Sequence, residues 1–470
     1  MRALTALLLA SCASGQTDYL RYVRGFADTM LAAGTDAYGP KRTPLWAGVI
    51  DARTLEVPAK GVPAPAGVRE SDRAVGGANL YHDAVTLRVF RALSAQTGEA
   101  RYATAAREYM AYFLHHARNP RTGFLGWGEH LYYDFFRDEV AAERRWHELL
   151  EWTPPWEDLW AVDPEAVTAA IGALRYHYYR DDPAALYNRH AYWDRSEHQP
   201  TGGQPWIKHS GLYAYSFAFL YSKTKDARWL EWARGAASPY WDRRNPSTDL
   251  TLSCIDDPRP GSKQATGGMA LLAYWLGKAY EVLPAEKRLR ERALAFLEAY
   301  DRFAYSKQKD AYWAGLELDG RPAGAETIPP WNFAYGSSSI IPYGRIAAWF
   351  ARREHKREYL EIARRVARIT RATPLPERVS LEGLGFALNL SLDVYEQTRN
   401  SRYLEDARHY AGVAIEKFWV PNPKGGLFVR EPGDRYYEAK VGTGDLLAGL
   451  LRLHAATQPK VRGLGVDWSF

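Results

Sequence analysis

The sequence predicts an all-α protein, an (α/α) toroid barrel of helical hairpins with little β structure. Three observations predict it: a turn motif recurs four times, apolar residues repeat at helical spacing through most of the chain, and strand signals are few. The motif reads Thr97-Gly-Glu-Ala-Arg-Tyr102-Ala-Thr-Ala-Ala106-Arg107 at its first copy. It returns at Thr224 with Trp229 and Ala233, at Lys356 with Tyr359 and Ala363, and at Thr398 with Tyr403 and Ala407. The aromatic and the alanine are four apart, so they share one helix face. The short polar stretch before them suits a tight helix–helix turn. Hairpins of this kind bury their apolar faces only against neighbours, and closing the row into a ring hides both ends. The aromatic positions are 127, 130 and 44 residues apart, which fits hairpins separated by long decorated loops rather than a regular solenoid.

Periodic stretches place helices at 79–96, 210–223, 265–281, 286–304, 336–352, 382–397 and 442–456. Asp163-Pro164-Glu165 is a helix start, with Val167, Ile171, Leu174 and Tyr178 tracing one face. The best strand signal is 425–430, and Pro- and Gly-rich pieces at 54–68, 199–205 and 319–330 read as loops. No linker divides 16–470, which reads as a single (α/α)-barrel domain.

Composition excludes several classes. The 61 Lys and Arg stand against 55 Asp and Glu and are interspersed with them, so no basic block tracks a nucleic acid backbone. Met1-Arg2 followed by apolar residues to Ala10 reads as a signal peptide, residues 1–15. Leu9-Ala10-Ser11-Cys12 also resembles a lipoprotein box, with Cys12 as the lipidated residue. The body is expected to be exported, periplasmic or secreted, touching a membrane only through that anchor. The only cysteines are Cys12 and Cys254, so no disulfide framework is expected. Aromatics make up 14% of the chain, most of them core, with Trp127 and Trp206 as candidates for sugar stacking.

Three segments carry candidate chemistry: Trp127-Gly128-Glu129-His130, His147-Glu148-Leu149 and Arg189-His190. The His147-Glu148 pair resembles half of a zinc-protease motif, but Glu151 stands where the other His belongs. Neither a Gly-x-Ser-x-Gly elbow nor a Walker loop is present.

Together the three segments resemble those of the family 2 polysaccharide lyases, bacterial enzymes that cleave pectate. That family has a Trp-Gly-x-His turn, a His-Glu-Leu helix and an Arg-His pair; here 42 residues separate Glu148 from His190, in agreement with the family's order. Asp36-Ala-Tyr38-Gly39-Pro40 resembles the family's start, and the region from Gly442 to Leu446 its end. Glu129, Ala191 and the 18-residue interval from His130 to Glu148 depart from its pattern. The resemblance implies an (α/α) barrel, a divalent metal on His130, Glu148 and His190, and Arg189 as base. Two imidazoles and a carboxylate suit Mn, with Ni, Co, Fe and Zn as alternatives, whereas Ca prefers oxygen donors. A straight helix from 130 to 148 would separate two of those ligands by roughly 27 Å, so the chain must turn back between them.

The implied reaction is β-elimination on pectate or oligogalacturonides, giving 4,5-unsaturated products. Lys208 and Lys440 are the candidate carboxylate-binding residues, with Arg243, Arg244 and Lys263 beside them. Two other functions compete: an inverting glycoside hydrolase using carboxylates among Glu129, Asp134 and Asp158, and a non-catalytic glycan-binding lipoprotein.

Overall fold

The computed structural model describes residues 17–143, 145–150, 154–331 and 339–458; the signal segment and Cys12 lie outside the described residues. In chain order, α1 (Tyr19–Thr29) is followed by the hairpin α2 (Leu80–Thr97) and α3 (Ala100–His116). Two short helices, α4 (Trp156–Trp160) and α5 (Pro164–Ala173), precede the hairpin α6 (Ile207–Thr224) and α7 (Ala227–Ala236). After the single turn α8 (Pro239–Asp242) come α9 (Gly268–Val282) with α10 (Lys287–Ala304), α11 (Ile341–Glu354) with α12 (Arg357–Ala372), α13 (Leu381–Thr398) with α14 (Ser401–Phe418), and finally α15 (Thr443–Thr457).

All four copies of the repeated turn end a helix in the same way. Gly98, Lys225, His355 and Arg399 each take the left-handed conformation that stops the preceding helix. In three copies the threonine hydroxyl bonds back to the carbonyl four residues earlier and accepts the amide two residues on, as Thr97 does with Leu93 and Glu99. The paired aromatics and alanines are buried in every copy, which is the packing their four-residue spacing predicts.

Among the described residues, α2, α6, α9, α11, α13 and α15 form an inner ring, and α3, α7, α10, α12, α14 and α1 surround it. The inner helices are buried on nearly every face: α13 is buried without a break from Gly383 to Val394. The outer ones bury one stripe, as α12 does with Tyr359, Ile362, Ala363, Val366 and Thr370. The two ends of the chain complete the ring, because α15 packs on both α1 and α2. The fold is thus the (α/α) toroid barrel. Helix α5 ends at Ala173, before Tyr178, where a 3₁₀ turn takes over.

Strands are short but more numerous than expected, and among the described residues they form five small sheets. The 425–430 signal becomes Gly425–Phe428, paired with Trp419–Asn422. Two other pairings position the site. β1 (Val49–Asp51) belongs to a separate ladder; β2 (Gly77–Ala78), β3 (Tyr132–Asp134) and β4 (Glu139–Ala141) form one sheet, and β5 (Trp146–His147) pairs with β6 (Ala191–Tyr192). One expectation is corrected here: His147-Glu148-Leu149 is extended, not helical, because His147 is tied into the β5–β6 pair.

Candidate functional site

All three site segments lie in the long connection between the first two barrel hairpins. The β3–β4 hairpin reverses the chain between His130 and Glu148, as shared ligation requires. The β5–β6 pair then sets Glu148, one residue after β5, beside His190, one residue before β6. Gly128 has φ +86°, and a Cβ there would lie far inside contact distance of the Glu148 carbonyl oxygen. Only glycine allows this approach, and Glu129 N–H then donates to the same carbonyl at 3.1 Å. Asn79, the N-cap of α2, straps the loop down: its amide donates to the carbonyls of Gly128 (2.8 Å) and Leu131 (3.1 Å).

Glu148 is buried and divides its two oxygens. Oε2 faces His190 Nε2 at 2.8 Å and His130 Nε2 at 3.3 Å; Oε1 faces Arg189 Nη1 at 3.4 Å and His209 Nε2 at 3.9 Å. Behind His130, Nδ1 faces Asp72 at 3.4 Å, and Arg69 pairs with both Asp72 and Glu129. His190 stacks on Trp146, 5.6 Å between centroids. Burial alone would raise the Glu148 carboxyl, yet His130, His190 and His209 hold it well below the usual range. Burial alone would lower His130, but Asp72, Glu148 and Glu129 outweigh it and lift it to about 9. His209 is pushed down to about 3 by burial, and donates Nε2–H to the Leu149 carbonyl at 3.0 Å.

The residues fit a divalent cation. One atom each from His130, Glu148 and His190 lie within 4.8 Å of one another. Glu148 Oε2 and His190 Nε2 are buried and face each other at 2.8 Å without hydrogen-bond geometry, an arrangement that a shared cation would satisfy. A carboxylate behind a histidine ligand is the usual means of fixing its ring.

Beneath the triad runs a buried chain of donors and acceptors. Trp127 Nε1–H donates to His147 Nε2 (3.3 Å), His147 Nδ1 meets His177 Nε2 (2.9 Å), and His177 Nδ1 meets the Asn188 carbonyl (3.0 Å). Only neutral imidazoles satisfy every link, and burial lowers both histidines accordingly. Asn188 Oδ1 also accepts the His190 amide, so the chain ends at the ligand's own backbone. This corrects Trp127 as a sugar-stacking residue: its ring is enclosed in the core and its N–H is used here.

Arg189 opens onto a cavity of about 1130 Å³ at one end of the barrel. Lys208, Lys440 and Trp206 line it, with Arg259, Arg378 and Arg430; Arg243, Arg244 and Lys263 do not. The first turns of α6, α9, α11 and α13 also face it, so several positive helix ends point at the same space. Of the hydrolase candidates, Asp158 is paired with Arg88 and Arg91, Asp134 with Arg137, and neither lines the cavity. Sequence reading missed Asp72, Asn79 and His177, whose roles depend on partners 11 to 58 residues away with no local pattern.

Residues 65–266 match the sequence model of a family described as periplasmic pectate lyase. The resemblance read from the motifs is thereby shown over this stretch, which contains His130, Glu148, Arg189, His190 and Lys208, and it indicates a carbohydrate-active enzyme. No curated relative matches the chain. Among solved structures, a cellobiose 2-epimerase from Bacillus thermoamylovorans is 9% identical, with a TM-score of 0.49 over 93% of this chain and 99% of that one. A GH76 α-mannanase from Bacteroides thetaiotaomicron is 12% identical, with a TM-score of 0.49 over 94% and 96%. No helix among the described residues is long and apolar enough to cross a membrane.

Proposed function

We propose that this protein is an exported, metal-dependent lyase that cleaves pectate or oligogalacturonides by β-elimination. The observation that carries the reading is the buried Glu148 carboxylate, with Oε2 between two imidazoles and Oε1 facing Arg189 at the wall of a cation-lined cavity. The family match over residues 65–266 supports the same chemistry.

His130, Glu148 and His190 would hold the cation, with Mn²⁺ the best match to the donor set and Ni²⁺, Co²⁺ or Zn²⁺ as alternatives. Bound there, it supplies Lewis-acid stabilisation of the charge that develops on a uronate carboxylate. Lys208 and Lys440 orient the polyanion by binding its carboxylates. Arg189 takes the C5 proton at a guanidinium nitrogen. The C5–H electron pair becomes the C4–C5 double bond, the C4–O bond breaks, and the departing oxygen is protonated from solvent. A guanidinium is protonated in water, so this role depends on neighbouring positive charge and desolvation to release its proton. Glu148 Oε1, at 3.4 Å, fixes where Arg189 stands.

The test is ultraviolet absorbance of unsaturated uronide during incubation with polygalacturonate, with chelator and with added Mn²⁺. Absorbance should rise only with metal, and Arg189→Ala should retain metal while losing turnover. New reducing ends without absorbance would refute elimination, and full turnover by Arg189→Ala would refute the base.

A further inference from the structure

In the cavity that Arg189 opens onto, Tyr300 and Gly267 line the wall where α9 begins. The Tyr300 hydroxyl is buried and has no hydrogen-bond partner. Its ring is fixed edge-on against Tyr343, 5.1 Å between centroids, so the hydroxyl has a set direction. Gly267 sits in ordinary right-handed helical conformation, φ −54°, which any residue can adopt. Its lack of a side chain is therefore about space. A Cβ there would meet only the Tyr300 hydroxyl oxygen, at 3.5 Å. Helix α9 has no acidic residue in its first turn, and its Gly268 N–H is taken only by the Thr266 hydroxyl at 3.4 Å, so no negative charge offsets the positive end of its dipole.

We propose that Tyr300, Gly267 and the N-terminus of α9 form a second carboxylate-binding subsite, for a uronate unit that does not react. This rests on the reading of the chain as a uronide lyase. Helices α6 and α9 set its distance from the triad. His209 on α6 reaches toward Glu148, while Ile207 on the same turn packs against Gly268. Helix α6 thus stands between the subsite and the reacting centre, and the helix–helix spacing alone, roughly 8–10 Å, exceeds a single sugar ring. Burial raises the Tyr300 hydroxyl, so it keeps its proton and donates. A substrate must then be several units long to use both sites, and binding at the remote one steadies the chain at the reacting one.

The test is calorimetric titration of the intact protein, in chelator so that nothing turns over, with tetragalacturonate and with digalacturonate. Tyr300→Phe removes only the hydroxyl, and Gly267→Ala places a methyl group in the space it faces. Both should weaken tetragalacturonate binding about tenfold, the loss of one hydrogen bond to a charged group, and digalacturonate binding less than twofold. Tyr300→Phe should melt no lower than the parent, since the hydroxyl has no partner to lose. Equal losses on both sugars, or none on either, would overturn the subsite while metal-dependent release of unsaturated product upheld the lyase. If the parent neither binds nor cleaves galacturonides, the lyase reading fails and the subsite with it.

Discussion

Replacing Gly128 by alanine perturbs the closest backbone approach in the site. The residue has φ +86°, where an L side chain costs roughly 1–2 kcal/mol. The new Cβ also drives into the Glu148 carbonyl oxygen, so the two segments must part, and the Glu129 N–H bond to that carbonyl, 3.1 Å, goes with them. That bond adds about 1 kcal/mol, and the steric clash a further kilocalorie or so, for a total near 2–4 kcal/mol. For a chain of 470 residues the unfolding entropy is about 1 kcal/mol per kelvin, so the melting temperature should fall by about 2–4 °C. The larger effect is on the cation, because His130 is two residues on and moves away from Glu148. Mn²⁺ affinity should drop about 10–100-fold, the scale expected when a ligand loses its support. Gly98→Ala is the control: its φ is +77° with nothing within 4 Å of the added Cβ, so it carries backbone strain alone. Scanning calorimetry and Mn²⁺ titration of both variants decide the matter. If Gly128→Ala binds Mn²⁺ as tightly as Gly98→Ala, the close approach does not position His130.

Three further outcomes are expected. Mn²⁺ at a hundred times its dissociation constant should stabilise the chelator-stripped protein by about 2.7 kcal/mol, roughly 3 °C, and should leave the melting temperature of His190→Ala unchanged. His177→Phe strands the His147 N–H and the Asn188 carbonyl, so it should cost about 2–5 kcal/mol and weaken Mn²⁺ binding about tenfold; His177→Gln, which keeps donor and acceptor, should recover part of both. Asp83 is raised to about 7 by burial, which the Tyr109 hydrogen bond only partly offsets. The folded protein therefore holds a proton that the unfolded chain has lost, and this group should make stability fall by about 1.4 kcal/mol per pH unit between pH 4 and 7. Asp83→Asn should flatten that slope; equal slopes by chemical denaturation would show that Asp83 does not hold the proton.

Much of the barrel was legible because its information is local. The repeated turn carries its own stop in the left-handed residues at 98, 225, 355 and 399, and its own packing face in an aromatic four residues before an alanine. The three candidate ligands were legible for a different reason, the resemblance of three short segments to a family. Their secondary structure was not: the resemblance implied a helix at His147-Glu148-Leu149, and His147 is instead a strand residue because Ala191 pairs with it from 44 residues away. Trp127 was misassigned because nothing local distinguishes a ring that stacks on sugar from one whose N–H anchors a buried histidine.

The sequence by itself determined the helices and their hairpin turns, because helical periodicity and turn chemistry act over a few residues, and its resemblance to a family singled out three candidate cation-binding side chains. Tertiary structure alone decided that Asp72 stands behind His130, that a histidine chain braces Asn188, and that four helix ends share one cavity with Tyr300. Those relations join residues far apart in the chain, and only the packing of the folded protein brings them together.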